Sequence, residues 1–146
     1  MATGRHPQLT LHCALVALLL FAVLPAAFSQ GDGSEATVQI GQEQARRGAS
    51  VYAQHCAACH GEELEGFGPF PPVSGGGFRE RWQGKTLGEL YAFVSELMPL
   101  GAGGSLEPSV YEDVVAFLLQ RNRVVPGEVE FDHEDELMLE AFLTWD

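Results

Sequence analysis

Five consecutive residues constrain this chain more than any other feature: positions 56–60 read Cys-Ala-Ala-Cys-His. Cysteines paired at this spacing can form a disulfide, a redox dithiol, half of a zinc site or a haem attachment, and the histidine that follows points to the last. Two thiols on one helical turn reach the two vinyl groups along one porphyrin edge. The imidazole beside them is then carried over the ring to meet the iron. A zinc site needs two more Cys or His ligands at metal spacing, and neither His55 nor His133 lies in such a pattern. A thioredoxin-like dithiol needs a preceding strand and a surrounding α/β sheet, and the pattern here is helical. His60 is thus expected to bind iron as neutral imidazole, its other ring nitrogen held by an acceptor. One covalent haem c, through Cys56 and Cys59, is the expected cofactor.

The chain before this motif has two parts. Residues 1–29 read as a secretory signal peptide. A short polar start with Arg5 is followed by the apolar run Leu11–Leu24, and Pro25 and Ala27-Phe28-Ser29 supply a cleavage signature. The run falls short of the roughly 20 residues of a membrane span, so membrane attachment is expected only if the segment stays uncleaved. Residues 30–41 are rich in glycine and polar side chains and are expected to be a flexible lead-in. Export and the haem motif agree, because haem is attached to c-type proteins outside the cytoplasm.

The remaining sequence predicts an all-α domain over residues 42–127. Ala45, Ala49, Tyr52 and Ala53 recur at helical spacing over Gln42–His55. Gly61–Gly77 is dense in glycine and proline and is expected to be loop. Thr86 with Glu89 forms a capping box, and Leu87, Leu90, Tyr91, Val94 and Leu97 give an apolar stripe ended by Pro99. Glu107–Arg123 is the strongest helical segment, with Val110, Val114, Phe117, Leu118 and Arg121 in register. Glu128–Asp146 is an acidic tail with a short amphipathic segment around Leu137–Leu143, and it is expected to be either solvated surface or a guide for a partner. Helices joined by such long loops have little core of their own, a deficit that a large apolar cofactor would fill.

Six-coordinate iron needs a second axial ligand. His55 adjoins Cys56 on the proximal side, His133 lies among acids, and Met138 reads as packing. Met98, at a helix end before Pro99, suits either an axial ligand or a core methionine on position alone.

From Gln44 to Gly127 the chain resembles the class I cytochrome c family, in particular the single-haem domains found with periplasmic dehydrogenases. The resemblance rests on Gly48 and Tyr52 before Cys56, on Cys56–Gly61, on Pro71-Pro72-Val73-Ser74-Gly75 and on Trp82–Thr86. It continues in Met98-Pro99 with Gly104-Ser105-Leu106, and in Tyr111–Leu119. It implies the cytochrome c fold and makes Met98 the distal ligand. It also implies that the Pro71 carbonyl accepts the proximal imidazole proton, that Val73 lies against the ring and that Trp82 lies near a haem propionate. Gly48 and Phe117 are implied to mark the crossing of the first and last helices. Arg79 and Arg81 are either propionate partners or exposed charges.

His/Met ligation leaves iron no open position and favours the ferrous state, which suits a single-electron carrier rather than an enzyme. The alternatives are a haem subunit docked on a larger dehydrogenase or oxidase, and a peroxidase-like or gas-binding protein in which Met98 is absent or labile. Eight basic residues against twenty acidic ones give a formal charge of −12. That charge excludes binding to nucleic acid or an anionic membrane by electrostatics and suits redox partners with a basic docking face. The expected location is a bacterial periplasm.

Overall fold

The computed structural model describes residues 39–145. The signal peptide expected at 1–29 lies outside them, as does most of the lead-in. The described part of the lead-in is ordered: Gln39–Gly41 forms strand β1, and Ile40 is buried.

Helix α1 (Gln42–His55) buries Gln44, Ala45, Gly48 and Tyr52. These positions fall on one stripe, as a 3.6-residue period requires. A single turn, α2 (Ala57–His60), follows directly and carries the second cysteine and the histidine. A glycine- and proline-rich loop leads to α3 (Gly76–Trp82), which buries Phe78 and Trp82. This helix corrects the sequence expectation of loop through Gly77. Two glycines make a poor helix start, and the burial of Phe78 and Trp82 outweighs that preference.

Helix α4 (Leu87–Leu97) has the capping box in full: the Thr86 side chain accepts from Glu89 N–H, and Glu89 accepts from Thr86 N–H. Helix α5 (Pro108–Arg121) starts with Pro108 in its first turn, where a missing N–H costs nothing. It buries Tyr111, Val114, Val115, Ala116, Leu118 and Leu119. Strand β2 (Val125–Gly127) then pairs in parallel with β1, Gln39 opposite Val125 and Gly41 opposite Gly127. This two-stranded pairing has no clear signal in the sequence.

The main packing unit is α1 against α5. At Gly48 the helices are so close that a Cβ would lie 1.8 Å from the Asp113 carbonyl oxygen and 2.8 Å from Phe117 Cβ. Tyr52 fills the neighbouring space, its ring 5.4 Å from that of Phe117. The resemblance implied this crossing, and it is where the structure has it.

The acidic segment 128–145 is not a solvated appendage. Phe131 and Leu143 are each 1% exposed. Gln44 Nε2 donates to Phe131 O and Phe131 N–H donates to Gln44 Oε1, both at 2.7 Å. Helix α6 (Glu136–Leu139) is capped by Asp135, which accepts from Leu137 and Met138 N–H. Beyond it, Leu143 exchanges backbone hydrogen bonds with Gly84 and Lys85, and Leu87 N–H donates to Ala141 O. The segment therefore straps α1, α4 and α5 together. No helix among the described residues is long and apolar enough to cross a membrane.

Candidate metal centre

A mostly apolar cavity of about 320 Å³ opens between α2, the proline loop, α3 and the end of α4. Cys56, Cys59, His60, Pro71, Val73, Trp82 and Met98, the seven residues singled out in the sequence, all line it. They come from four separate stretches of chain.

The local backbone explains how His60 is aimed. Cys56 N–H donates to Tyr52 O at 2.9 Å, so α1 hands its direction to the next turn, and His60 N–H donates to Cys56 O at 2.9 Å. Gly61 then turns the chain with φ +82°, a conformation that favours glycine. Tyr52 Oη–H donates to Gly61 O at 2.7 Å. Burial raises the Tyr52 phenol well above its ordinary range, so it stays a donor. Gly66 N–H donates to His60 O, and Phe67 and Phe70 exchange two backbone hydrogen bonds that fold the loop back toward the histidine.

The imidazole is held by Pro71. His60 Nδ1 lies 2.8 Å from Pro71 O. A carbonyl can only accept, so Nδ1 carries the proton, and in the neutral imidazole the lone pair is then on Nε2. Proline has no N–H and a fixed φ, which makes its carbonyl a rigid acceptor. The Phe70 ring packs edge-on to the imidazole at 6.3 Å.

Cys56 and Cys59 are unpaired thiols, both half-buried. Burial first, and the neighbouring Cys59 second, push the Cys56 thiol up to about 11. A thiolate is disfavoured here, whereas a neutral thioether carries no charge to desolvate. The donor set fits a c-type haem: two thiols and an imidazole with a free Nε2 on one wall, a thioether on another, and apolar side chains between.

Met98 follows the last turn of α4 in an extended conformation, and the Met98–Pro99 peptide is cis. Its carbonyl accepts from Tyr111 Oη–H at 2.8 Å, and Tyr111 Oη accepts from Leu106 N–H at 3.4 Å. Trp82 is buried, with its ring 5.5 Å from that of Phe93. Arg81 lines the cavity while remaining exposed, its guanidinium 4.9 Å above the Phe93 ring. It therefore reaches the cavity from the surface, whereas Arg79 is not part of the lining.

The other candidate ligands are placed differently. His55 lines the cavity beside Cys56. His133 lies outside it, with Nδ1 2.5 Å from Glu112 Oε1 and its ring stacked on Tyr91. Met138 packs against the core. Sequence reasoning missed two supports of the site, Tyr111 and Asn122. Tyr111 entered only through the resemblance over Tyr111–Leu119, and Asn122 lay unmarked within the expected helix Glu107–Arg123.

Residues 43–118 match the family model described as cytochrome c oxidase, cbb3-type, subunit III. Over 95 residues, 58% of this chain, the sequence is 34% identical to thiosulfate dehydrogenase of Stutzerimonas stutzeri (strain A1501), and those residues span 31% of that relative's length. The crystal structure of the sulfane dehydrogenase SoxCD from Paracoccus pantotrophus aligns over 98% of this chain and 68% of that one. Its TM-score is 0.51 at 24% identity, a likeness of fold alone. Because the family match runs from α1 into the last turns of α5 and encloses the whole thiol–imidazole segment, the chain belongs to the c-type cytochrome family of the cbb3-type oxidase subunit III, and its cofactor class is haem c with iron.

Proposed function

We propose that the chain carries one haem, thioether-linked to Cys56 and Cys59 and held axially by His60 and Met98, and that it passes single electrons between protein partners outside the cytoplasm. The observation that carries this reading is the convergence of both thiols, the oriented imidazole and the Met98 side chain on one cavity.

The bound group supplies a one-electron ferric/ferrous couple. The protein's part is to hold and tune it. His60, protonated at Nδ1 and held by Pro71 O, presents Nε2 as a neutral donor. Met98 offers a thioether, a soft ligand that favours the reduced state. Val73, Phe78, Leu90 and Val94 give the cavity an apolar lining. Trp82 and Arg81 are suited to the propionate side. With His60 and Met98 both holding the group, no position would be left for a substrate, which supports a carrier over a peroxidase-like or gas-binding role.

Residues 1–29 serve as the signal peptide in this reading, and 42–127 form the haem domain. The net charge supports partners with a basic docking face. The match to part of a longer thiosulfate dehydrogenase favours a second reading, in which the chain is the haem-carrying part of an oxidoreductase complex.

Protein matured with its haem provides the test. A pyridine haemochrome spectrum is expected to report one c-type haem per chain, lost in the double variant Cys56→Ala/Cys59→Ala. The ferric protein is expected to show the Met–Fe charge-transfer band, lost in Met98→Ala. Absence of covalent pigment would overturn the reading, and five-coordinate ferric iron would overturn the carrier role. Co-purification with a dehydrogenase from the native periplasm would favour the complex subunit.

A further inference from the structure

We propose that Asn122 is a positioning residue for the proximal histidine, locked in place by Trp145 of the C-terminal strap. The inference rests on the reading of His60 as an iron ligand.

Asn122 ends α5 and is 0% exposed. Every polar atom of its side chain is used, and two of the three bonds go to the proline loop. Nδ2 donates to Val73 O at 3.0 Å, and Oδ1 accepts from Gly75 N–H at 3.0 Å. Nδ2 also donates to Leu118 O at 2.8 Å, which ties the amide to its own helix. The clamp thus grips the loop on both sides of Ser74, starting at Val73, two residues beyond the carbonyl that holds His60. Between clamp and carbonyl lies Pro72, whose ring fixes its φ. A clamp at Val73 and a rigid link at Pro72 leave the Pro71 carbonyl little freedom to swing away from Nδ1. Leu64 O, which accepts from Val73 N–H at 3.0 Å, holds the same residue from the other side.

The lock comes from the far end of the sequence. Trp145 Nε1–H donates to Asn122 O at 2.6 Å, and its ring packs edge-on to Phe78, which lines the cavity. One indole thereby fixes the backbone that carries the clamp and supports a cavity wall.

The consequence for the iron follows from ligand basicity. A strong Nδ1–H···O bond places more electron density on the imidazole, which favours ferric iron. Loosening the loop weakens that bond and raises the reduction potential.

The test uses haem-loaded, full-length protein. Asn122→Ser and Trp145→Phe are expected to raise the midpoint potential and to speed solvent exchange of the His60 Nδ1 proton, followed by NMR. Haem content and the Met–Fe band are expected to be retained. Trp145→Phe keeps an aromatic ring against Phe78, so it remains informative if Asn122→Ser fails to fold. Gln44→Ala is the control, because Gln44 is an equally buried amide that binds the same strap far from the loop. It is expected to lower thermal stability and to leave potential and proton exchange unchanged. If the wild type holds His/Met-ligated haem and Trp145→Phe keeps both the wild-type potential and exchange rate, this inference alone falls. It also falls if Gln44→Ala shifts both quantities as far as Trp145→Phe does. A wild type without such haem would overturn the reading of the site and this inference with it.

Discussion

Gln44 and Phe131 exchange two hydrogen bonds across 87 positions of sequence, each 2.7 Å long. The carboxamide reads the backbone of residue 131 as a strand neighbour would, and the Phe131 ring seals the contact against Tyr91 at 5.5 Å. Removing that ring is expected to cost about 3–5 kcal/mol, the usual range for a buried Phe→Ala change. Urea unfolding of Phe131→Ala checks this, and a cost below about 1 kcal/mol would contradict the strap.

The acids of the strap can be separated from its core. Glu128, Glu134, Glu136 and Glu140 are exposed. Neutralising all four is expected to slow association with a basic redox partner at low salt while thermal stability stays close to wild type. Stopped-flow rates against ionic strength measure it, since rim charges act chiefly on association. A rate unchanged at low salt would remove this segment from docking.

A methyl group at Gly48 has nowhere to go. Its carbon would sit 1.8 Å from a backbone oxygen, so α1 and α5 must separate in Gly48→Ala. Overpacking of this kind costs about 1–3 kcal/mol or more, and a melting temperature lower by roughly 10 °C is expected for a domain of this size. The folded fraction is expected to keep the wild-type haem spectrum, because Gly48 does not line the cavity.

Tyr111→Phe deletes the donor to Met98 O and leaves that carbonyl and Leu106 N–H without their partner. About 1–2 kcal/mol of stability is expected to go. The Met–Fe band is expected to weaken or shift, which a purely structural role for the hydroxyl would not produce. Absorption spectra of the ferric variant decide.

Arg47 lies between two carboxylates, Asp113 of α5 and Glu130 of the strap, with contacts of 2.8 to 3.2 Å. Its hydrogen bonds hold Glu130 below the usual carboxylate range, and the pairing raises Arg47 itself. A carboxylate lowered in the native state stabilises the fold above its unfolded pKa, and the benefit fades as pH falls through the native value. Glu130 is half-exposed, so the pair is worth only about 0.5 kcal/mol. The stability gap between wild type and Glu130→Gln is expected to be constant near neutrality and to close below about pH 4. A gap persisting at pH 2 would count against the ion pair.

The parts of the fold written in local chemistry were legible in the sequence. Thr86 and Glu89 announce a helix start because a capping box needs only neighbours. The five residues at 56–60 fix a turn, two thiols and an imidazole together, so the cavity's proximal wall could be drawn from them. What escaped depends on distant partners. Gly76 and Gly77 argue locally against a helix, and only the packing of Phe78 on Trp82 and Trp145 shows why one forms. The strap was hidden by its own acids, since two buried side chains, Phe131 and Leu143, count for little in a composition dominated by charge. Asn122 lay unmarked within an expected helix, because a buried amide takes its meaning from the two strands of backbone it bridges.

Strand β1 gains its partner only with Val125–Gly127, and α1 gains its seal only with Phe131. Both contacts join segments far apart in sequence, 87 positions in the case of Gln44 and Phe131, so the intervening chain must be brought together before either is gained. Non-local contacts of this kind slow folding, and they make the segment after α5 a condition for a settled α1 rather than an addition to it.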